Sequence, residues 1–202
     1  MTIAIRIIIV LVIQVAVLGG MLGLHLTTLC RGEPVIIMTR NVEAEDIIAG
    51  NTIPLRYSIG NIDLSGLDGS DQFRKFDPVY VILRRFENRQ YGSIWYADRV
   101  ENDLEGQQLR DNEIAIRGTV NRVVTNRNRL GSDRPPRIEI SYGIEDYRVT
   151  SGDADVFGAR RGQVDIAMQL LVDSSGRAIV ESMLTPTGAL ISPPSLWTGL
   201  CQ

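Results

Sequence analysis

The chain has 202 residues, of which 44% are hydrophobic and 22% charged, and its formal net charge is −3. This length and composition suit one domain of ordinary size with a short additional segment, and they exclude an intrinsically disordered or fibrous chain. The weak negative charge excludes a general attraction to nucleic acid, and a single histidine with two cysteines excludes most sites built from those residues. We assign no catalytic residue, no metal site and no cofactor.

The amino-terminal segment, residues 1–29, contains a long apolar run. Residues 7–29 carry no Asp, Glu, Lys or Arg, and about 20 apolar residues are enough for a helix to cross a bilayer. The run is longer than the roughly 7–15 apolar residues of a cleaved secretory signal, and no small-x-small cleavage site follows it. The sequence therefore predicts one transmembrane helix that acts as an uncleaved signal anchor. Lipidation of Cys30 is the weaker alternative, because Leu29 precedes it.

The orientation of this helix follows from its start. A short basic beginning, the α-amino group and Arg6, leads directly into the apolar run, which favours an amino end inside the cell. We predict a single-pass protein of the cell membrane whose residues 30–202 form an extracytoplasmic domain. Three glycines in the run would let a second helix approach closely. They are Gly19, Gly20 and Gly23.

Residues 30–202 are rich in short β-branched segments separated by turn residues. Segments of this kind and spacing are typical of β strands. The eight candidates are residues 35–38, 52–59, 79–86, 93–100, 113–124, 137–149, 164–172 and 177–184. We predict a mainly β fold, a small barrel or sandwich.

Two of these segments resemble each other in their alternation of apolar and polar residues. A shift of 85 places Ile53, Leu55, Tyr57 and Ile59 on Ile138, Ile140, Tyr142 and Ile144, and it also aligns the next strand of each half. This pattern favours two duplicated three-stranded units, at about residues 50–100 and 135–185. Chance coincidence of alternating β patterns is the other interpretation.

Residues 50–57, Gly-Asn-Thr-Ile-Pro-Leu-Arg-Tyr, resemble the signature of the bacterial membrane-anchored GDYXXLXY-motif family. Gly50, Leu55 and Tyr57 match that pattern, whereas Asn51 and Thr52 replace its Asp and Tyr. Residues 140–147 are similar to the family's second signature and residues 173–178 to its final hairpin, so the resemblance covers roughly residues 3–185. It implies a single-span envelope protein of uncharacterised function, often linked to multi-span membrane proteins, and it supplies no catalytic residue.

The motif is interpreted as structural. Asp46 is expected to cap a helical turn, Gly50 to end that turn in a left-handed conformation, and Leu55 and Tyr57 to enter the core. The second-signature residues Tyr142 and Gly143 are assigned the same structural role. A binding role for Asn51 or Arg56 remains the alternative.

The composition leaves few enzymatic mechanisms open. The single histidine, His25, lies in the apolar run, which excludes a Ser-His-Asp or Cys-His mechanism in the domain. A carboxylate-based envelope enzyme acting on a glycan or small molecule remains the alternative function. Its candidate acids are Asp98, Glu101, Glu145 and Asp146.

Six arginines lie within 21 residues. They are Arg117, Arg122, Arg127, Arg129, Arg134 and Arg137, and we call them the arginine cluster. A solvated hairpin edge, where charge opposes strand-to-strand aggregation, is one interpretation. The other is a docking surface for anionic headgroups, glycans or an acidic partner.

Cys30 and Cys201 are the two cysteines of the chain. If the domain is exported, they share an oxidising compartment and are expected to pair, with free thiols as the alternative. We predict a non-enzymatic interaction protein or accessory subunit that docks on another integral membrane or envelope protein. The sequence leaves the oligomeric state open.

Overall fold

The computed structural model describes residues 3–40, 42–70, 72–105, 108–124, 136–158, 160–185, 187–189 and 191. Strands β1 to β13 are Glu33–Met38, Val42–Glu43, Thr52–Pro54, Asn61–Asp63, Asp68–Gly69, Pro78–Asn88, Gly92–Glu101, Glu113–Val124, Arg137–Ser141, Asp146–Arg148, Gln163–Val164, Ala167–Val172 and Ala178–Met183. The helices are α1 (Ile3–Arg31) and α2 (Ser151–Phe157), with 3₁₀ turns at Ala44–Asp46 and Leu64–Gly66.

Helix α1 contains the predicted apolar run. The large apolar side chains described between residues 7 and 21 are exposed, from 43% at Ile9 to 67% at Leu18. The helix meets the domain at its carboxyl end, where Thr28 is buried and Gly32 N–H donates to the Thr28 carbonyl at 2.9 Å. In the described part of the chain, no helix reaches the combined length and apolarity of a membrane span. The transmembrane role of α1 stays a prediction.

The domain is built on a six-stranded sheet in the order β4-β9-β8-β6-β7-β5, curled into a half-barrel. All its pairings are antiparallel except that of β5 with β7. A three-stranded sheet, β1-β12-β13, lies against it where β1 contacts β7. Two short ladders, β3 with β10 and β2 with β11, complete the domain. The predicted mainly β fold is confirmed.

The core lies between the two sheets. In β6, Val79 and Val81 are fully buried and Tyr80 between them is half-buried, as alternation in a strand requires. At the bulge that follows, Ile82 and Leu83 are both fully buried. In β8, Ile116 and Val120 point inward, whereas Arg117, Thr119 and Asn121 are exposed. Gly118 lies where β8 approaches its neighbour β9 closely, so a Cβ at this position would overlap the Ile140 methyl group. Alternation thus marks the inner face over parts of β6 and β8, whereas the bulge in β6 and the first residues of β8 are buried on both faces.

Three predicted strands are shortened or divided in the structure. Residues 164–172 divide between β11 and β12. Of residues 52–59 only Thr52–Pro54 forms a strand, and Tyr57 then makes an isolated bridge to Thr39. Residues 137–149 divide into β9 and β10 around a turn at Gly143, whose φ is +75°. Over residues 52–59 and 137–149 the alternating apolar residues are buried without continuous pairing, except Tyr142, which is half-buried. An extended chain can bury every second side chain with or without a ladder partner.

The start of the motif differs from its prediction. The turn is a 3₁₀ turn, Ala44–Asp46, so Asp46 ends it rather than caps it, and no side chain caps its start. Glu45 instead reaches across the chain and accepts the Gly162 N–H at 3.0 Å. Gly50 has φ +88°, the left-handed conformation that the sequence predicts.

The two proposed repeat units have different strand partners. β3 of the first unit pairs with β10, whereas β9 of the second pairs with β4 and β8. The β6–β7 hairpin belongs to the six-stranded sheet, and the β12–β13 hairpin belongs to the three-stranded sheet. The duplication stays a prediction.

Candidate functional site

The two motif segments bind each other through a reciprocal pair of tyrosines. The Tyr57 hydroxyl donates to the Ile144 carbonyl at 3.0 Å, and the Tyr142 hydroxyl donates to the Ile59 carbonyl at 2.7 Å. Each tyrosine therefore anchors the segment that carries the other. We call this arrangement the tyrosine clasp.

Backbone hydrogen bonds extend the tyrosine clasp on both sides. Leu55 N–H donates to the Glu145 carbonyl at 2.6 Å, and Gly50 N–H donates to the Val149 carbonyl at 2.9 Å. The Glu145 carboxylate accepts the Tyr142 N–H at 2.5 Å and holds the turn between β9 and β10. These are the contacts that a structural role for the motif requires.

Burial determines the protonation of the clasp. Burial raises the pKa of Tyr57 far above its ordinary value, and the Glu145 carboxylate adds to the effect. The pKa of Tyr142 is raised for the same two reasons, burial first. Both hydroxyls consequently keep their protons at physiological pH and act as hydrogen-bond donors.

A cavity of about 430 Å³ opens beside the tyrosine clasp. Its polar lining combines Arg56 with two carboxylates, and Asn51 is exposed in the preceding turn. The other polar lining residues include Glu139, Glu145, Asn61 and Asn121.

A larger groove, of about 650 Å³, lies between α1 and the domain, and we call it the junction groove. Met21 and Thr28 of α1 form one wall. The opposite wall comes from β8, from the β9–β10 turn and from the start of β13. Its residues include Arg117, Thr119, Asn121, Ser141, Tyr142 and Arg177. Asn121 and Tyr142 line both this groove and the cavity beside the clasp.

Asp173, the first residue of the turn between β12 and β13, bonds to two residues that line the junction groove, Thr28 and Arg177. Its carboxylate accepts the Thr28 hydroxyl at 2.6 Å, the Ser175 hydroxyl at 2.6 Å and the Arg177 Nε at 3.0 Å. Burial opposes ionisation of Asp173, but these hydrogen bonds and two from backbone amides outweigh it and lower its pKa to about 2. An ionised carboxylate thus joins the helix to the domain.

A second polar centre lies on the strands β6, β7 and β8. Glu113, whose side chain is fully buried, receives two hydrogen bonds from Arg99, both at 3.1 Å. These bonds lower the pKa of Glu113, with burial acting in the opposite direction. Arg84 bridges Glu113 at 3.5 Å and Asp98 at 2.7 Å, so charge is balanced within the network.

The candidate carboxylates of the enzymatic alternative are not gathered in one cleft. Asp98 and Glu101 lie within ion-pairing distance of Arg99, at 3.7 and 3.9 Å. Glu145 serves the β9–β10 turn, and Asp146 is exposed on β10. Among the described residues, no group of three His, Cys, Asp or Glu side chains is placed to hold a metal ion.

The structure describes three of the six residues in the arginine cluster. Arg117 lines the junction groove. Arg122 pairs with Glu139 at 3.8 Å and Arg137 with Asp63 at 3.4 Å, both on exposed strand surface. The remaining three cluster residues lie outside the described part of the chain. They are Arg127, Arg129 and Arg134.

Four of the predicted residues lie on α1: the three glycines and Cys30. Gly19, Gly20 and Gly23 are exposed on the helix. Cys30, at the helix–domain junction, is disulfide-bonded. Cys201 lies outside the described residues, so its pairing with Cys30 stays a prediction.

Sequence reasoning missed the roles of Asp173 and Glu113. Residues 173–176 read as a turn, and the Asp-Ser-Ser-Gly sequence is a signal for a side chain that caps its own turn. Nothing local connects that turn with Thr28. Glu113 begins a strand among charged residues and is indistinguishable there from a solvated acid.

The comparison with known families agrees with these motifs. The GDYXXLXY protein family matches residues 14–183, which is most of the chain, and the chain belongs to this family. No curated protein matches it, and no solved structure does so either.

Proposed function

We propose that the protein is a single-span membrane protein whose β domain lies outside the cytoplasm and docks, without enzymatic activity of its own, on another membrane or envelope protein. The observation that carries the proposal is the exposed apolar surface of α1. Its side chains between residues 7 and 21 contact no part of the described domain closely enough to be buried.

Apolar exposure on this scale is costly in water. Burial of one Ile, Leu or Val side chain stabilises a protein by about 1.5–3 kcal/mol, and a continuous row of them stays exposed on α1. A hydrocarbon environment removes this cost, and every backbone group of a helix is already satisfied within it. This supports a membrane anchor.

The disulfide at Cys30 supports export of the domain. Disulfides persist in oxidising compartments and are rare in the cytosol. Cys30 lies one residue before the end of α1, at the start of the domain. An extracytoplasmic junction is the arrangement in which this bond is stable.

The distribution of acids supports docking rather than catalysis. Asp98, Glu101 and Glu113 are matched by arginines on neighbouring strands. The bonds from Arg99 lower the pKa of Glu113, and a carboxylate kept ionised in this way cannot donate a proton. The exposed arginines of the cluster offer a surface for an anionic partner.

Membrane anchoring is tested by charge insertion. Ile13→Arg/Val17→Arg places two arginines on one face of α1 at a cost of about 5–7 kcal/mol at the bilayer centre. We expect the variant to be released by alkaline carbonate while the wild type stays in the membrane. The matched control is Ile48→Arg, at a domain residue as exposed as Ile13. Release of the wild type would contradict the anchor, and protease protection of residues 35–202 in intact spheroplasts would contradict export.

Docking is tested by purification in a gentle detergent at native expression. We expect a partner to co-purify with the wild type and with Arg89→Glu, whose site lies on the β6–β7 turn, but less with Arg122→Glu. A folded wild-type protein that purifies alone would contradict docking and favour the carboxylate enzyme.

We also propose that the domain arose from two duplicated three-stranded units. Most of the aligned apolar residues are buried in both units, with Tyr142 and Val164 half-buried, and this shared pattern supports a common origin. A superposition of the two units that fails to place Leu55 and Tyr57 on Ile140 and Tyr142 would contradict it.

A further inference from the structure

We propose that the junction groove binds the phosphate of an anionic membrane phospholipid, an inference that rests on the proposed membrane anchor. The groove is bounded on one side by α1 and on the other by Arg117, Arg177 and polar side chains of the domain. Its position and its charge argue for this ligand separately.

The charge of the junction groove differs from that of the chain. The chain has a net charge of −3, but the residues that line the groove include two arginines. The nearby carboxylate of Asp173 neutralises only one of them, Arg177. Arg117 is exposed and has no carboxylate partner in the described part of the chain. Arg177 pairs with Asp173 and keeps 39% of its side chain exposed. A positive site lined by guanidinium groups suits a phosphate, which arginine contacts in a bidentate manner.

Neutral donors complete the lining. Thr119 and Asn121 are exposed on the same face of β8 as Arg117, and Ser141 lies across the ladder from Thr119. Their hydroxyl and amide groups suit the ester and carbonyl oxygens of a lipid headgroup. The structure therefore offers more than an isolated pair of charges.

The length of the groove along α1 favours a lipid over a soluble anion. Met21 and Thr28 both line it, and seven residues of helix span about 10 Å along the axis. The arginines lie on the domain side, whereas Met21 continues the exposed apolar surface of α1. A phospholipid matches this arrangement with its phosphate on Arg117 and Arg177 and an acyl chain along α1.

The test measures lipid binding to the full chain, purified in mild detergent with its disulfide intact, by native mass spectrometry with added phosphatidylglycerol or phosphatidylcholine. Arg117→Gln removes the unpaired charge and keeps the backbone bond from Arg117 N–H to the Gly176 carbonyl. The matched control, Arg122→Gln, removes the same charge from the same strand outside the groove. We expect Arg117→Gln to weaken phosphatidylglycerol binding by about tenfold or more, the size of a hydrogen bond to a charged group, and Arg122→Gln to bind like the wild type.

A second variant keeps the test valid if Arg117→Gln unfolds. Thr119→Glu places a carboxylate at an exposed position of the groove, and we expect it to weaken phosphatidylglycerol binding to a similar extent. Thermal unfolding of each variant identifies any loss that is due to misfolding.

Four outcomes would overturn the inference. They are wild-type binding by folded Arg117→Gln and Thr119→Glu, equal losses in Arg117→Gln and Arg122→Gln, equal retention of phosphatidylcholine and phosphatidylglycerol, and full displacement of the lipid by millimolar inorganic phosphate. Carbonate extraction of the same samples separates this result from the anchor. Variants that stay in the membrane but bind lipid normally contradict the groove alone, whereas release of the wild type contradicts the anchor.

Discussion

At the scale of single residues, two polar contacts hold distant parts of the chain together. Asp173 joins the turn between β12 and β13 to Thr28 of α1. Tyr57 and Tyr142 join the two motif segments of the domain. Both contacts bury their polar groups with partners, so removal of one partner leaves the other unsatisfied.

Asp173 is expected to make stability depend on acid pH. Its pKa is about 2 in the folded chain against 3.8 for the unperturbed group, which corresponds to about 2 kcal/mol of stabilisation above pH 4. Because the folded pKa is depressed, this stabilisation is lost as the pH falls from about 4 to 2. Asp173→Asn should lower the free energy of unfolding by about 2 kcal/mol at pH 7, measured by denaturant titration of the detergent-solubilised chain.

The control for Asp173 is Asp155→Asn, at an exposed residue of α2. The difference between wild type and Asp173→Asn should shrink as the pH approaches 2. A difference that stays constant between pH 7 and pH 2 would show that the carboxylate charge is not responsible.

The tyrosine clasp yields a second prediction at this scale. Tyr57→Phe and Tyr142→Phe each remove one hydroxyl and leave a carbonyl, of Ile144 or Ile59, without that donor. Each variant should lose about 1–2 kcal/mol of unfolding free energy, measured in the same titration. Tyr96→Phe, at an exposed tyrosine, is the control and should change little. Stabilities equal to the wild type in both clasp variants would contradict the structural role of the motif.

At the scale of elements, the alternating strands were predictable and their pairing was not. Buried and exposed residues alternate over positions 116–121, in the middle of the predicted strand 113–124, and β8 occupies that whole range. Residues 52–59 alternate equally well, yet only three of them form a strand, and Tyr57 makes an isolated bridge to Thr39. Alternation reports which side chains are buried, whereas hydrogen-bond partners come from other parts of the chain.

The close approach of β8 and β9 at Gly118 predicts that a larger residue there destabilises the sheet. Gly118→Ala would place a Cβ against the Ile140 methyl group and 3.1 Å from the Ser141 carbonyl oxygen. Overpacking of this kind should cost about 1–3 kcal/mol, seen as a lower midpoint of thermal unfolding. Gly19→Ala, on the exposed surface of α1 with nothing within 4 Å of the added methyl, is the control. An unchanged midpoint for Gly118→Ala would mean that the two strands separate at no cost.

At the scale of the whole molecule, α1 is held to the domain by side-chain hydrogen bonds as well as by the covalent chain. The Asp173–Thr28 contact fixes the direction in which α1 leaves the domain, and Arg177 extends the contact into the junction groove. A partner bound to the domain would therefore be held at a defined orientation to α1.

The predicted pairing of Cys30 with Cys201 belongs to this scale as well. Such a bond would close a loop of about 170 residues and stabilise the fold by about 5 kcal/mol in the chain-entropy model. Reduction should lower the thermal midpoint and change the mobility in a non-reducing gel. Two alkylated cysteines found by mass spectrometry in the unreduced protein would contradict the pairing.

The sequence alone determined the apolar character of α1, the mainly β domain, the left-handed Gly50 and the burial of Tyr57. These properties follow from local composition and alternation, which are legible within a few residues. Only the tertiary structure decided that Tyr57 bonds to the Ile144 carbonyl, that Glu113 is ion-paired, and that Asp173 meets Thr28 145 residues away. A polar side chain carries no local sign of a partner so distant, because the partner is chosen by how the strands and the helix pack.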